Sequence, residues 1–228
     1  MKAMLVDASG KAVSERLRVP TPEPATPDAI LQAMRGLAQQ FPQFDYAACG
    51  FPGVIKQGVV YTAHNLNPAW VEYDLQDSLQ RLLKAPARVA NDAAVQGMAA
   101  IRGEGVELCI TLGTGMGSSL FVGGVLVPGL ELGHHPLKGK RTYEDYLGRA
   151  GLERLGKKKW NKKLRLAIDT AQRLFNYDYL HIGGGNTKYI DFELPGNARL
   201  VQNTDGLLGG AALWRDVIAT RKTLAKEK

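Results

Sequence analysis

At 228 residues, with 45% hydrophobic and 22% charged residues, the chain has the composition of a folded globular protein and the length for one large domain or two small lobes. No apolar run approaches the roughly 20 residues of a membrane-spanning helix, and Asp7 comes too early for the apolar segment of a signal peptide. The net charge of +7 raises a nucleic-acid reading, but no helix-turn-helix, RNA-binding aromatic motif or zinc finger accompanies it, so gene regulation is not expected.

The two cysteines, Cys49 and Cys109, each lie in an apolar run, and Cys-x-x-Cys does not occur. Buried thiols in a reducing compartment are expected rather than a thiolate zinc site, and the location expected is the cytoplasm. The positive charge is uneven. Lys157, Lys158, Lys159, Lys162, Lys163 and Arg165 crowd together, and Arg221, Lys222, Lys226 and Lys228 decorate the end. A solvated helix face and a frayed tail are the plain reading; a docking surface for a polyanion is the other.

In chain order, Ala3–Asp7 and Val13–Val19 read as strands joined by the turn Ala8-Ser9-Gly10-Lys11. The proline-rich stretch 20–27 can join neither ladder nor helix, and it ends in a helix start. Thr26 is the N-cap, Pro27 the first position, and Ile30, Met34 and Leu37 form one face of a helix to about Gln40. A buried strand, Tyr46–Phe51, leads into Pro52-Gly53. A short strand at Val59–Thr62 and a helix at Leu75–Leu83 follow. Strand Arg88–Ala90 delivers Asn91 and Asp92 at its carboxyl end, before a helix at Ala93–Arg102.

Strand Leu108–Leu112 opens into Gly113-Thr114-Gly115-Met116-Gly117. Strands Ser119–Val122 and Val125–Val127, joined by Gly123-Gly124, make a hairpin. Tyr143–Phe175 has a helical pattern, strand Tyr179–Ile182 runs into Gly183-Gly184-Gly185-Asn186, and a last helix starts after Asp205-Gly206. Strands in hairpins that give way to strands alternating with helices, twice over, predict an α/β protein of two related lobes.

Both glycine runs sit at carboxyl ends of strands, where open α/β sheets bind ligands. Glycines let backbone amides close around phosphate oxygens. The Rossmann spacing is wrong, because the third glycine comes two residues after the second and a hairpin, not a helix, follows. Without a Gly-Lys-Ser/Thr the Walker motif is excluded too.

In these residues the chain resembles the ROK (repressor, open reading frame, kinase) sugar kinases, and within them the polyphosphate branch. The resemblance rests on Thr21–Pro27, Phe51-Pro52-Gly53-Val54, Thr62-Ala63-His64-Asn65, Asn91-Asp92-Ala93 and Leu112–Ser118. It continues through Leu126-Val127-Pro128, Glu131-Leu132-Gly133-His134, Gly183-Gly184-Gly185 and Gly206–Ala212. It implies the actin-like ATPase (ribonuclease H-like), hexokinase-type fold. An N-terminal lobe would span 1–92 and a C-terminal lobe 93–205, with a helix at 206–220 packing back on the first.

The resemblance also implies roles. Asp92 is the general base that takes a proton from a sugar hydroxyl, help worth roughly 10²–10⁴ in rate. Gly53, Asn65, Asn91, Glu131 and His134 bind the hexose, whose hydroxyls need both donors and acceptors. Gly113, Thr114, Gly115 and Gly117 hold donor phosphate, and Gly183, Gly184 and Gly185 line the nucleotide side. ATP or polyphosphate is the donor and Mg²⁺ offsets phosphate charge, with no metal ligand assigned to the protein. A homodimer is implied as well.

Family members open with a strand and Asp-x-Gly-Gly-Thr, and Met1-Lys2-Ala3-Met4 aligns just after them, so the expectation is an N-terminally truncated fold. The zinc-binding cysteine cluster of many members has no counterpart, and Pro136 stands where the polyphosphate branch carries a sugar-binding glutamate. A sugar sensor without turnover is the alternative function.

Overall fold

The computed structural model describes residues 1–63, 66–201, 208–215 and 217. The chain divides into one unit of Met1–Ala99 with Asp205–Lys228 and a second of Ala100–Thr204. The helix that begins at Asp92 therefore belongs to the first unit, whereas a boundary at 92/93 would assign it to the second.

The first unit builds its strands in pairs. β1 (Lys2–Ala3) and β2 (Leu17–Arg18) are antiparallel, much shorter than the expected Ala3–Asp7 and Val13–Val19. Asp7 Oδ1 accepts the amides of Ser9 and Lys11 within the turn, and farther from it Ser14 Oγ takes the Leu5 amide in place of a ladder carbonyl. Helix α1 (Pro27–Ala38) starts as its sequence dictates, with Thr26 Oγ1 accepting from the Ala29 amide, and it buries Ile30 and Leu37. β3 (Ala47–Phe51) pairs in parallel with β6 (Ala87–Asn91), so Phe51 lies opposite Asn91.

Between β3 and β6 come the hairpin β4 (Ile55–Lys56) and β5 (Val59–Val60), then helix α2 (Leu75–Leu83). Trp70, fully buried, donates its indole N–H to the Ala25 carbonyl and so ties the proline-rich segment to this core. Helix α3 (Asp92–Ala100) follows β6 directly. The described part of the C-terminus, a 3₁₀ helix at Leu208–Trp214, returns to this unit. Trp214 donates to the Ala47 carbonyl, and Gly209 touches the Val95 carbonyl so closely that a Cβ would overlap it.

The second unit is one five-stranded sheet in the order β13-β12-β7-β8-β9. β7 (Val106–Leu112), β12 (Tyr179–Gly183) and β13 (Ala198–Leu200) are parallel; β8 (Met116–Val122) and β9 (Val125–Val127) are antiparallel, joined by Gly123 and Gly124 at φ 55° and 79°. A small hairpin, β10 (Pro136–Lys138) and β11 (Arg141–Thr142), precedes helix α4 (Tyr143–Leu147). The helical run that the sequence predicts over 143–175 is broken. Gly148 separates α4 from α5 (Arg149–Phe175), and Gly156, at φ 71°, kinks α5. The sheet and helices enclose Leu108, Ile110, Leu112, Leu147, Trp160, Leu164 and Ile182.

Neighbouring parallel strands also carry a buried polar chain that the sequence conceals. Glu107 on β7 has no exposed surface and accepts backbone N–H groups of Arg102, Gly103 and Glu104. His181 on β12 stands 2.7 Å from the same carboxylate, and its Nδ1 accepts from Arg199 Nε on β13 at 3.0 Å. Arg199 can only donate, so His181 carries its proton on Nε2 and gives that hydrogen bond to Glu107. Arg199 also donates to the Ala100 carbonyl, so the residues that open the second unit are held from its sheet.

Burial pulls the Glu107 carboxyl upward, but its hydrogen bonds outweigh this and hold it below the usual range; burial chiefly lowers the His181 pKa. Both shifts have one sign for stability. On acidification the unfolded chain takes up protons that the folded one refuses, so stability falls as pH drops through the unfolded His value and then through the Glu107 range. Glu107→Ala leaves buried amides and His181 without an acceptor, and should cost about 3 kcal/mol or more in urea unfolding at pH 7. A loss below about 1 kcal/mol would mean that the chain is not a structural tie.

Candidate functional site

In the first unit the pairing of β3 with β6 places the expected base. Asn91 ends β6, and its Oδ1 accepts the amides of Ala93 and Ala94 at 2.9 and 3.2 Å, so it caps α3. Its Nδ2 donates to the Gly53 carbonyl at 3.1 Å. Asn91 is thus a bracket between α3 and the turn after β3. Gly53 can sit there because a Cβ would collide with the Thr62 carbonyl.

Asp92 is the first residue of α3, with Oδ1 2.8 Å from the Ala93 amide and the rest of the side chain toward solvent. Burial of part of the carboxyl nevertheless raises its pKa, against the downward pull of the backbone N–H groups of Ala93 and Asp92. It approaches β3 over Gly50, where a side chain would press on the Asp92 Cα. The Cys49 thiol is pushed up to about 12, by burial first and by Asp92 second. Asn65 lies outside the described residues.

The second unit gathers the other expected residues at one end of its sheet. The turn after β7 is Gly113-Thr114-Gly115; Met116 and Gly117 already belong to β8, so Gly117 is a strand residue rather than a loop residue. Two amides of this turn are taken within the protein. Gly113 N–H donates to the Gly115 carbonyl, and Met116 N–H to Glu144 Oε2 at 2.9 Å. A Cβ at Gly115 would meet that same Glu144 oxygen, so a side chain there would displace Glu144.

Glu131 precedes and His134 ends the 3₁₀ turn Leu132–His134, with Glu131 Oε2 3.4 Å from His134 Nε2 and both side chains partly exposed. Ser118 on β8 holds this turn twice, donating to the Leu130 carbonyl and accepting the Leu132 amide at 3.1 Å. Gly133 packs against the Met116 carbonyl without room for a Cβ. The carboxylate–imidazole pair is therefore fixed to the strand that leaves the Gly113–Gly115 turn.

The second glycine run completes the cluster. Gly184, at φ 97°, lies against the Leu112 backbone where a Cβ would overlap it. Asn186 is fully buried: its amide donates to the Leu112 carbonyl, its Nδ2 to the Gly113 carbonyl at 2.8 Å, and its Oδ1 accepts Arg149 Nη2 at 3.4 Å. Arg149 also gives its backbone N–H to the Thr114 carbonyl.

Glu144, Arg149 and Ser118 were not among the expected site residues. Of these, Glu144 carried a readable signal, since the capping box of Thr142 and Asp145 fixes where α4 begins. Among the described residues no group of three or more His, Cys, Asp or Glu side chains gathers to hold a metal ion, and no helix is long and apolar enough to cross a membrane.

A family model described as the ROK family matches residues 1–153. Polyphosphate glucokinases of Mycobacterium leprae (strain TN) and Mycobacterium tuberculosis (strain CDC 1551 / Oshkosh) are 29% and 28% identical over 92% of this chain, covering 70% and 86% of those proteins. Among solved structures, the inorganic polyphosphate/ATP-glucomannokinase from Arthrobacter sp. strain KM is 32% identical with a TM-score of 0.80, over 96% of this chain and 94% of that one. A ROK family glucokinase from Streptomyces griseus, in complex with glucose and AMPPNP, is similar at 21% identity and TM-score 0.73, over 94% and 96% of the two chains.

Ser118→Ala tests how the Glu131–His134 turn is held. It leaves the Leu132 amide without its acceptor, and unfolding in urea should show a loss of about 1–3 kcal/mol; an unchanged midpoint would mean that the turn stands without Ser118.

Proposed function

The chain belongs to the ROK family and has its actin-like, hexokinase-type α/β fold, and from that premise we propose that it is a sugar kinase acting on a hexose. The observation that carries the reading is the gathering, within one unit, of the Glu131–His134 pair and both glycine turns at one end of β7, β8 and β12. Phosphoryl transfer is mostly positioning and charge stabilisation, so an acceptor site and a phosphate site fixed to the same strands suit it.

In this reading Glu131 accepts and His134 exchanges hydrogen bonds with hexose hydroxyls. The Gly113–Gly115 and Gly183–Gly185 turns hold the donor. Asp92 takes the proton of the attacking hydroxyl as its oxygen bonds to the terminal phosphorus and the bridging oxygen departs with the remaining phosphates. Asn91 is the residue that positions Asp92, through the α3 cap and the Gly53 carbonyl. The raised pKa of Asp92 supports the role, because a general base works best when its pKa approaches the working pH.

The relatives named glucokinase and glucomannokinase point to glucose or a close epimer, and both ATP and polyphosphate are donors to test. Magnesium is ordinarily held by one or two carboxylates and the phosphates themselves. In this reading the ion would enter with the donor and offset its charge.

A coupled assay with glucose and either donor should show turnover, and Asp92→Asn should lower kcat by roughly 10²–10⁴ while calorimetry finds glucose bound as before. Wild-type kcat/KM should fall as pH drops through the Asp92 pKa, at a pH above the ordinary aspartate range, and the variant should lack that limb. Full turnover in Asp92→Asn would remove Asp92 from the reaction.

A further inference from the structure

The turn that Asn91 brackets is itself held by a side chain from the β4–β5 hairpin. That hairpin pairs Ile55 with Val60, and one more bond follows, from the Tyr61 N–H to the Val54 carbonyl at 2.8 Å. There the ladder stops. The buried Val54 gives its own N–H to Thr62 Oγ1 at 2.9 Å, so a hydroxyl stands in for a strand carbonyl. The Thr62 carbonyl meanwhile lies against Gly53, in the space that a Cβ would need.

Gly53 is therefore fixed on three sides. Its N–H donates to the Phe51 carbonyl at 2.9 Å, Thr62 packs on its Cα, and its carbonyl accepts Asn91 Nδ2 at 3.1 Å. Phe51 is fixed in turn, buried with its ring 4.9 Å from that of Trp70. From Gly53 the path to Asp92 is short. Asn91 Oδ1 caps α3 through the amides of Ala93 and Ala94, and Asp92 is the first residue of that helix. Loss of the Thr62 hydroxyl leaves the Val54 N–H buried without its acceptor, a cost large enough to shift the turn. Where a misplacement of about 1 Å costs roughly 10²-fold in rate, a smaller shift is worth about tenfold.

We propose that Thr62 is a positioning residue for Asp92: its hydroxyl fixes the Gly53 turn, and that turn, through Asn91, sets where the Asp92 carboxylate stands. The proposal rests on the sugar-kinase reading and adds to it a residue that acts only through the base.

The test is a double-mutant cycle on the full chain, with glucose and the better of ATP and polyphosphate as donor. Thr62→Val keeps the branched shape and removes the acceptor, and its kcat should fall about tenfold while calorimetry finds glucose affinity within about threefold. Thr62→Ser keeps the oxygen and should stay within about twofold of the wild-type kcat. Added to Asp92→Asn, Thr62→Val should change the residual rate by less than about twofold, because a residue that works through the base has nothing left to position. The acid limb of kcat/KM should also move toward the ordinary aspartate range in Thr62→Val, since a carboxyl no longer held beside Cys49 and Gly50 of β3 gains water. If Thr62→Val does not fold, Thr62→Ala takes its place in the cycle. Equal losses in the wild-type and Asp92→Asn backgrounds, or a Thr62→Ser protein as slow as Thr62→Val, would overturn the proposal and leave the kinase reading intact. Absence of turnover in the wild type with either donor would defeat the kinase reading. An NMR titration of the Asp92 carboxyl then judges Thr62: a midpoint that moves in Thr62→Val supports the positioning role, and an identical one overturns it.

Discussion

The second unit depends on a close approach between two parallel strand ends. Where β7 and β12 finish, the chain must turn twice in the same small space, and Gly184 meets the Leu112 backbone with no room for a side chain. Asn186 then bonds across the gap to Leu112 and Gly113, fully out of water. A buried amide with both ends satisfied adds rigidity, whereas one left unsatisfied would be costly, so this position admits few alternatives. Once the two turns are locked, Arg149 is placed by Asn186 and by the Thr114 carbonyl, and α5 departs from there.

The same logic of replacing flexible contacts by buried polar ties recurs at the other end of the sheet. Glu107, His181 and Arg199 occupy adjacent parallel strands and together hold the segment Ala100–Glu104, through which the chain enters the second unit. The sheet is thus fastened by polar chemistry at both ends and by apolar packing between them. Such an arrangement gives a face that keeps its geometry because its polar ties are satisfied.

Much of this was legible in the sequence, and the exceptions have physical causes. The Thr26 cap, the Gly123-Gly124 hairpin and the strands at Ala47–Phe51 and Tyr179–Gly183 follow from local residue chemistry, which a sequence displays directly. The long strands expected near the N-terminus are short because the ladder is interrupted where Ser14 Oγ takes the Leu5 amide. The helical pattern over 143–175 hid a break, since periodicity registers side chains and not the glycine dihedrals at Gly148 and Gly156. His181 carries no signal of its own in the sequence; its partners lie 74 and 18 residues away and only strand register brings them together. Glu131 and His134 were legible only through the family resemblance, and Ser118, which fastens their turn, sits in a strand that reads as plain hairpin.

Glu144 poses the sharpest electrostatic question. A carboxylate within hydrogen-bond reach of the Met116 amide opposes an anion at the adjacent turn, by Coulomb energy that at 4 Å runs from about 1 kcal/mol in water to about 4 kcal/mol near a protein surface. Yet Glu144 also braces the turn, because it takes the Met116 amide and lies beside Gly115. The fold therefore separates two jobs that a Walker-type loop combines. Glu144 fixes the backbone, and the cations gathered around Asn186 and Tyr189, which are Arg149, Lys157 and Lys188, lie outside the turn itself. Substitutions at those surface cations can therefore change the charge beside the turn while Glu144 and the glycines keep its shape.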